Sequence, residues 1–194
     1  HEATKYTEQG LRDSAARHAP LDWNERPEPF KQYGGASILL PSAGLPIARR
    51  GRQAAEFPEP AAGELGAPAL ARLLWHTNGC TRIVPHPGGF QHFRAAPSAG
   101  AMYPTELYVA TRGVPGIPDG LYDYHVLEHS LAPVRSGDLF AQLTSAAFGH
   151  PAVAASSAVV ILTAEWLRSS WRYRERGYRR ALLDTGHGLG NAVE

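Results

Sequence analysis

Apolar residues fall into a helical rhythm only from about Ala67. Leu70, Leu73 and Leu74 recur at helix spacing, Thr77 follows one turn later, and Gly79 ends the run. The spacing predicts a helix over 67–78. Leu107 and Val109 then alternate with Tyr108 and Ala110, which predicts a strand over 105–111. Gly120 to His125 and Ser130 to Val134 read as a hairpin around Leu127-Glu128-His129. Asp138 to Phe148 reads as a short helix, and the β-branched run Val159 to Thr163 as a buried strand. Residues 170–193 read as one long helix carrying many arginines. Residues 80–93, with Pro85, Pro87, Gly88 and Gly89, read as a loop, and 97–104 as a loop or short helical turn.

The first 60 residues have little periodicity and are punctuated by Pro20, Pro27, Pro29, Pro41, Pro46, Pro58 and Pro60. Residues 6–18 suit a short helix, and the rest an extended arm laid over a surface or partner. The chain thus divides into an arm, 1–60, and a partial domain, 61–194. Gly186, Gly188 and Gly190 stand in the last predicted helix, each costing about 1 kcal/mol relative to alanine. Either something approaches that helix closely, or it ends near Thr185.

Composition narrows the function classes. The 194 residues are 43% hydrophobic and 19% charged, enough for one globular core. A net charge of +1 gives no reason to expect nucleic acid, and no apolar run is long enough for a membrane helix. Arginines nevertheless cluster at 49–52 and 168–180, so a local phosphate site is expected. The single cysteine, Cys80, rules out an internal disulfide and suits a reducing compartment. With a polar start and no secretory signal, the expected location is cytoplasmic. The chain opens on histidine and stops inside a helical pattern, so a longer protein, truncated here at the C-terminus, is expected.

Three segments carry candidate chemistry. In Arg94-Ala-Ala-Pro-Ser-Ala-Gly-Ala-Met-Tyr-Pro104, Ser98 and Gly100 offer a hydroxyl and open backbone, while Pro97 and Pro104 stiffen the ends. In Trp171 to His187, Arg172 and Tyr173 set a cation beside a phenol. Arg49-Arg50-Gly51-Arg52 offers guanidinium forks for phosphate. By composition alone these are a turn, a solvated helix face and a basic loop. Nine histidines without an HExxH pattern give no metal site, and no G-x-S-x-G elbow supports a serine hydrolase.

Together the segments resemble a known family. Pro97-Ser-Ala-Gly-Ala-Met-Tyr-Pro104 resembles the PSAGALYP signature of SagB-type (azoline) dehydrogenases in the nitroreductase superfamily. Tyr173 through Asn191 resembles the next signature, Leu73-Leu74-Trp75 the LLW element, and His1 to Tyr6 the start of a longer branch. The resemblance implies an α+β fold with a central antiparallel-rich sheet flanked by helices. It implies FMN at a homodimer interface, or between this domain and a second one, and hydride transfer at flavin N5. Azoline oxidation in modified peptides, or reduction of small electrophiles, would be the reaction.

The resemblance also assigns residues. Arg49, with Arg50 and Arg52, would hold the FMN phosphate, Gly51 and Gln53 departing from the family's R-R-S-x-R. Pro97, Ser98, Ala99 and Gly100 would line the flavin, and Tyr178, Arg179 and His187 would frame it. Arg172 and Tyr173 stand where the family has a catalytic Lys-Tyr pair, and arginine is no base near neutral pH. The competing expectation is a degenerate domain that binds a peptide or partner without redox turnover.

Overall fold

The computed structural model describes residues 7–17, 20–47, 56–87 and 89–193. In chain order these form α1 (Glu8–Arg17), β1 (Ile38–Leu39), α2 (Ala67–Asn78), β2 (Cys80–His86), β3 (Gly89–Arg94), β4 (Thr105–Thr111), β5 (Gly120–His125), β6 (Ser130–Ser136), α3 (Phe140–Ala146), α4 (Pro151–Ala155), β7 (Ala158–Ala164), α5 (Trp166–Tyr173) and α6 (Gly177–Val193). Five strands make one sheet in the order β1-β6-β5-β4-β7, antiparallel at every pairing.

Strand alternation gives the sheet two unlike faces. Leu107 and Val109 of β4, Tyr122 and Tyr124 of β5 and Leu131 of β6 join Leu70, Ala71 and Leu74 of α2 in one buried cluster. Gly66 and Pro68 start α2 where its first N–H groups lack partners. It ends where Gly79 turns to extended backbone (ψ 156°) close under Trp75, where a Cβ would lie 2.5 Å from the ring. The other parity, Glu106 and Tyr108 with Asp123 opposite Tyr108, faces the arm. The Tyr108 hydroxyl meets that of Tyr33 at 2.7 Å and accepts from Lys31 Nζ at 3.2 Å.

Several expectations are corrected. Residues 80–93 are not a loop: β2 and β3 pair as a ribbon with Pro85 opposite Phe90. In a two-stranded ribbon both strands are edges, so proline's missing N–H is tolerated. β7 is half-buried rather than buried, because it ends the sheet with β4 alone beside it. The arm enters the sheet, with Ile38 opposite Leu131 and Leu40 and Leu45 buried.

The helix expected over 170–193 is two helices, broken at Arg174 (φ 52°, ψ −129°) and followed by a 3-10 turn. Gly177 permits the break: its Cβ position lies 2.8 Å from Ser170 N, so α6 begins against the backbone of α5. From there α6 runs unbroken to Val193, which rejects an end near Thr185. Gly188 is where another element approaches, 3.6 Å from Cβ position to Thr77 O, whereas among the described residues nothing stands within 4 Å of the Cβ positions of Gly186 or Gly190.

Candidate functional site

The turn before β4 is held by a carboxylate from α6. Ser98 Oγ donates to Asp184 Oδ2 at 2.6 Å and Ala99 N to Asp184 Oδ1 at 3.3 Å. Ser98 Oγ also accepts from Tyr103 N at 2.8 Å. One residue on, Thr185 and Thr105 hydroxyls meet at 2.9 Å. Burial raises the Asp184 carboxyl pKa, while the bonds from Ser98 and Ala99 hold it down. These ties keep three left-handed residues in place: Gly100 (φ 59°), Ala101 (φ 52°) and Tyr103 (φ 47°). For the two side-chain-bearing residues that conformation costs about 1–2 kcal/mol each.

The end of α5 comes down on this turn. A Cβ on Gly100 would lie 2.5 Å from the Tyr173 hydroxyl and 3.0 Å from Arg172 Nε. The Arg180 guanidinium lies 5.0 Å from the Tyr173 ring centre and that of Arg172 6.0 Å. A phenol and cations thus stand over backbone bare of side chain.

Behind the turn lie two buried arginines. Arg94 donates to Thr105 O and Pro29 O at 3.1 and 2.9 Å, and burial lowers its pKa to about 10. Arg168 pairs with Glu106 and donates to Glu28 O at 2.8 Å and Tyr103 O at 3.1 Å. Trp171 Nε1 donates to Asp22 O at 3.0 Å. The arm is therefore tied to the helix that carries Arg172 and Tyr173.

Of the expected site residues, the fold brings Ser98, Ala99, Gly100, Arg172 and Tyr173 together. Pro97 is exposed at the entrance of the turn. Tyr178 packs on Trp166, 5.0 Å between ring centres, and His187 Nδ1 lies 2.8 Å from Leu183 O, exposed on α6. Arg179 is half-buried on the same helix. Arg49, Arg50 and Arg52 lie outside the described residues. The sequence reading missed Asp184, Arg94 and Arg168. No local signal marked Asp184, because an acid on an arginine-rich helix beside Leu182 and Leu183 reads as surface, yet the fold buries it. Among the described residues no group of three or more His, Cys, Asp or Glu side chains is placed to hold a metal ion, and no helix is long and apolar enough to cross a membrane.

An antiparallel α+β sheet with such a turn clasped by a long helix defines a nitroreductase-like fold. The profile of the nitroreductase family matches residues 66–193, and the chain belongs to that family. It is 35% identical over 95 residues to the proposed nitroreductase MJ1384 of Methanocaldococcus jannaschii, covering 49% of this chain and 48% of that one. It is 34% identical over 140 residues to the trifolitoxin-processing protein TfxB of Rhizobium leguminosarum bv. trifolii, covering 69% of this chain and 38% of that one. A crystal structure of a nitroreductase-like protein from Anabaena variabilis superposes with a TM-score of 0.77 at 38% identity, over 99% of this chain and 36% of that chain. The chain spans less than half the length of these relatives.

Proposed function

We propose that this chain forms part of a cytoplasmic FMN-dependent oxidoreductase of the SagB type, which acts on a small molecule or a peptide. Azoline oxidation in modified-peptide biosynthesis is the reaction class we favour, supported by the similarity to a trifolitoxin-processing protein. The observation that carries the reading is the contact of Gly100 with Tyr173 and Arg172, set by the Asp184 clasp. What supports a flavin here is the chemistry of the donor set: a phenol and guanidinium groups beside the bare backbone of Gly100 suit the electron-rich edge of the ring.

When bound, FMN supplies a two-electron hydride acceptor and donor. In this reading Arg49, with Arg50 and Arg52, binds the phosphate. Pro97, Ser98, Ala99 and Gly100 line the ring and ribityl chain, and Tyr178, Arg179 and His187 frame the site from α6. Tyr173 holds a proton at its hydroxyl, and Arg172 keeps a fixed charge beside it. A second copy, or a second domain of the same fold, completes the site.

Purified full-length protein is expected to be yellow, with flavin absorbance bands. Tyr173→Phe should lower turnover without releasing the flavin. Arg49→Ala should weaken FMN binding about ten- to a hundredfold, the loss of one charge-assisted contact. A second reading, a peptide- or partner-binding module without redox turnover, draws support from Tyr173 and Arg172 already filling the space over Gly100. Colourless full-length protein that takes up no added FMN would favour it.

A further inference from the structure

The arm, the β2–β3 ribbon and the turn after it enclose a cavity of about 230 Å³, whose lining includes Arg26, Phe30, Phe90, His92, Arg94 and Ala101. That is below the roughly 300–1,000 Å³ of pockets that enclose a drug-sized ligand, so it suits a small group such as one ring with its carboxylate. Arg94 is the unusual member. It is 5% exposed, and its two hydrogen bonds go to neutral carbonyls. Phe30 and Tyr103 rings lie against the guanidinium, 5.5 and 5.0 Å from ring centre to Cζ. Its buried Nε–H has no hydrogen-bond partner among the described residues.

Among the described residues no carboxylate pairs with Arg94, and Glu106, which supports its charge from a distance, is committed to Arg168. A buried guanidinium stays protonated, and an uncompensated buried charge is costly. Arg94 thus carries a buried charge that no carboxylate offsets at hydrogen-bond distance among the described residues. Arg26 adds a second cation on the exposed arm, with Glu28 as the one acid in the lining. The remaining walls include the rings of Phe30, Phe90 and His92.

We propose that this cavity is a carboxylate subsite, in which Arg94 and Arg26 bind the carboxylate of a flat aromatic acid or of an aromatic residue at a peptide C-terminus. Arg94 supplies a fixed buried charge behind the wall, the exposed Arg26 supplies the charge-assisted donor, and the ring lies against Phe30 and Phe90. Ala101 lines the cavity one residue after Gly100, so a group held here stands beside the Gly100–Tyr173 contact. The subsite rests on Arg94 and its cavity, so its test needs no flavin signal and can fail without the flavin reading failing.

Full-length protein is titrated with benzoate while guanidinium NMR follows the Arg94 Nε–H. A saturable shift is expected with benzoate, none with benzamide, and at least tenfold weaker binding in Arg26→Glu. Arg94→Met should abolish benzoate binding, and if that variant fails to fold, Phe90→Ala at the exposed wall should weaken binding severalfold. N-acetylphenylalanine tighter than benzoate identifies a peptide terminus as the natural source; the reverse order identifies a free acid. No shift with benzoate, an equal shift with benzamide or inorganic phosphate, or unchanged affinity in Arg26→Glu overturns the proposal.

Discussion

Gly100 shows how one residue type decides local geometry. It sits at φ 59° with the Tyr173 hydroxyl 2.5 Å from where a Cβ would be. Gly100→Ala therefore meets two costs, about 1–2 kcal/mol for the left-handed conformation and a displaced Tyr173. Urea denaturation should show the loss, and Tyr173→Phe in the same chain should recover part of it by removing the hydroxyl. Asp184 acts through its bonds. Asp184→Ala leaves Ser98 Oγ and Ala99 N without their acceptor, and should cost roughly 1–3 kcal/mol, with Asp184→Asn intermediate. Gly100 was legible in the sequence because glycine between prolines announces a special backbone. Asp184 was hidden because a lone acid in a helix reads as surface until the facing turn is known.

At the scale of elements, the α5–α6 break sets where Arg172 and Tyr173 point. An uninterrupted helix over 170–193 would carry them in line with α6, whereas the break lets α5 end over Gly100. Arg174 holds a conformation that favours glycine, at a cost of about 1–3 kcal/mol. Arg174→Gly should raise the thermal midpoint while leaving the fold intact, as circular dichroism would record. Gly177→Ala should lower it, since its methyl would meet Ser170 backbone at 2.8 Å. Neither the break nor the β2–β3 ribbon was legible. Arginine gives no sign of a helix break, and proline with glycine in 85–89 reads as loop unless the pairing strand is seen.

Across the whole molecule, charge is buried between sheet and arm. Glu106 and Arg168 pair there, and Asp123 on the neighbouring strand is 2% exposed with Oδ1 unpartnered. Burial first, then the Glu106 charge, pushes the Asp123 carboxyl from its ordinary value up to about 7. The folded state thus holds a proton that the unfolded chain releases near pH 4. This one group's contribution to stability should be full below about pH 4, fall as pH rises toward 7 and level off above it, by on the order of 2–4 kcal/mol. Asp123→Asn should abolish that fall in urea midpoints measured from pH 4 to 8. If Asp123→Asn kept the same pH dependence, the titrating group would lie elsewhere. Removing one partner of the buried pair, as in Arg168→Met, should cost about 3–5 kcal/mol, because Glu106 would be left charged and unpaired.

The sequence by itself determined the elements whose periodicity is local: α2 over 67–78, β4 over 105–111 and the β5–β6 hairpin, each set by spacing of apolar positions within one segment. The signatures at 97–104 and 173–191 likewise pointed to the nitroreductase superfamily before any fold was seen. Tertiary structure alone decided the rest. It brought Asp184 to Ser98 across 86 positions, Arg94 to Pro29 across 65 and Arg168 to Glu28 across 140. It also made β7 an edge and the arm part of the sheet. Such contacts follow from which buried donors need acceptors once the chain is folded, and pairing between distant residues leaves no periodic trace in a single sequence.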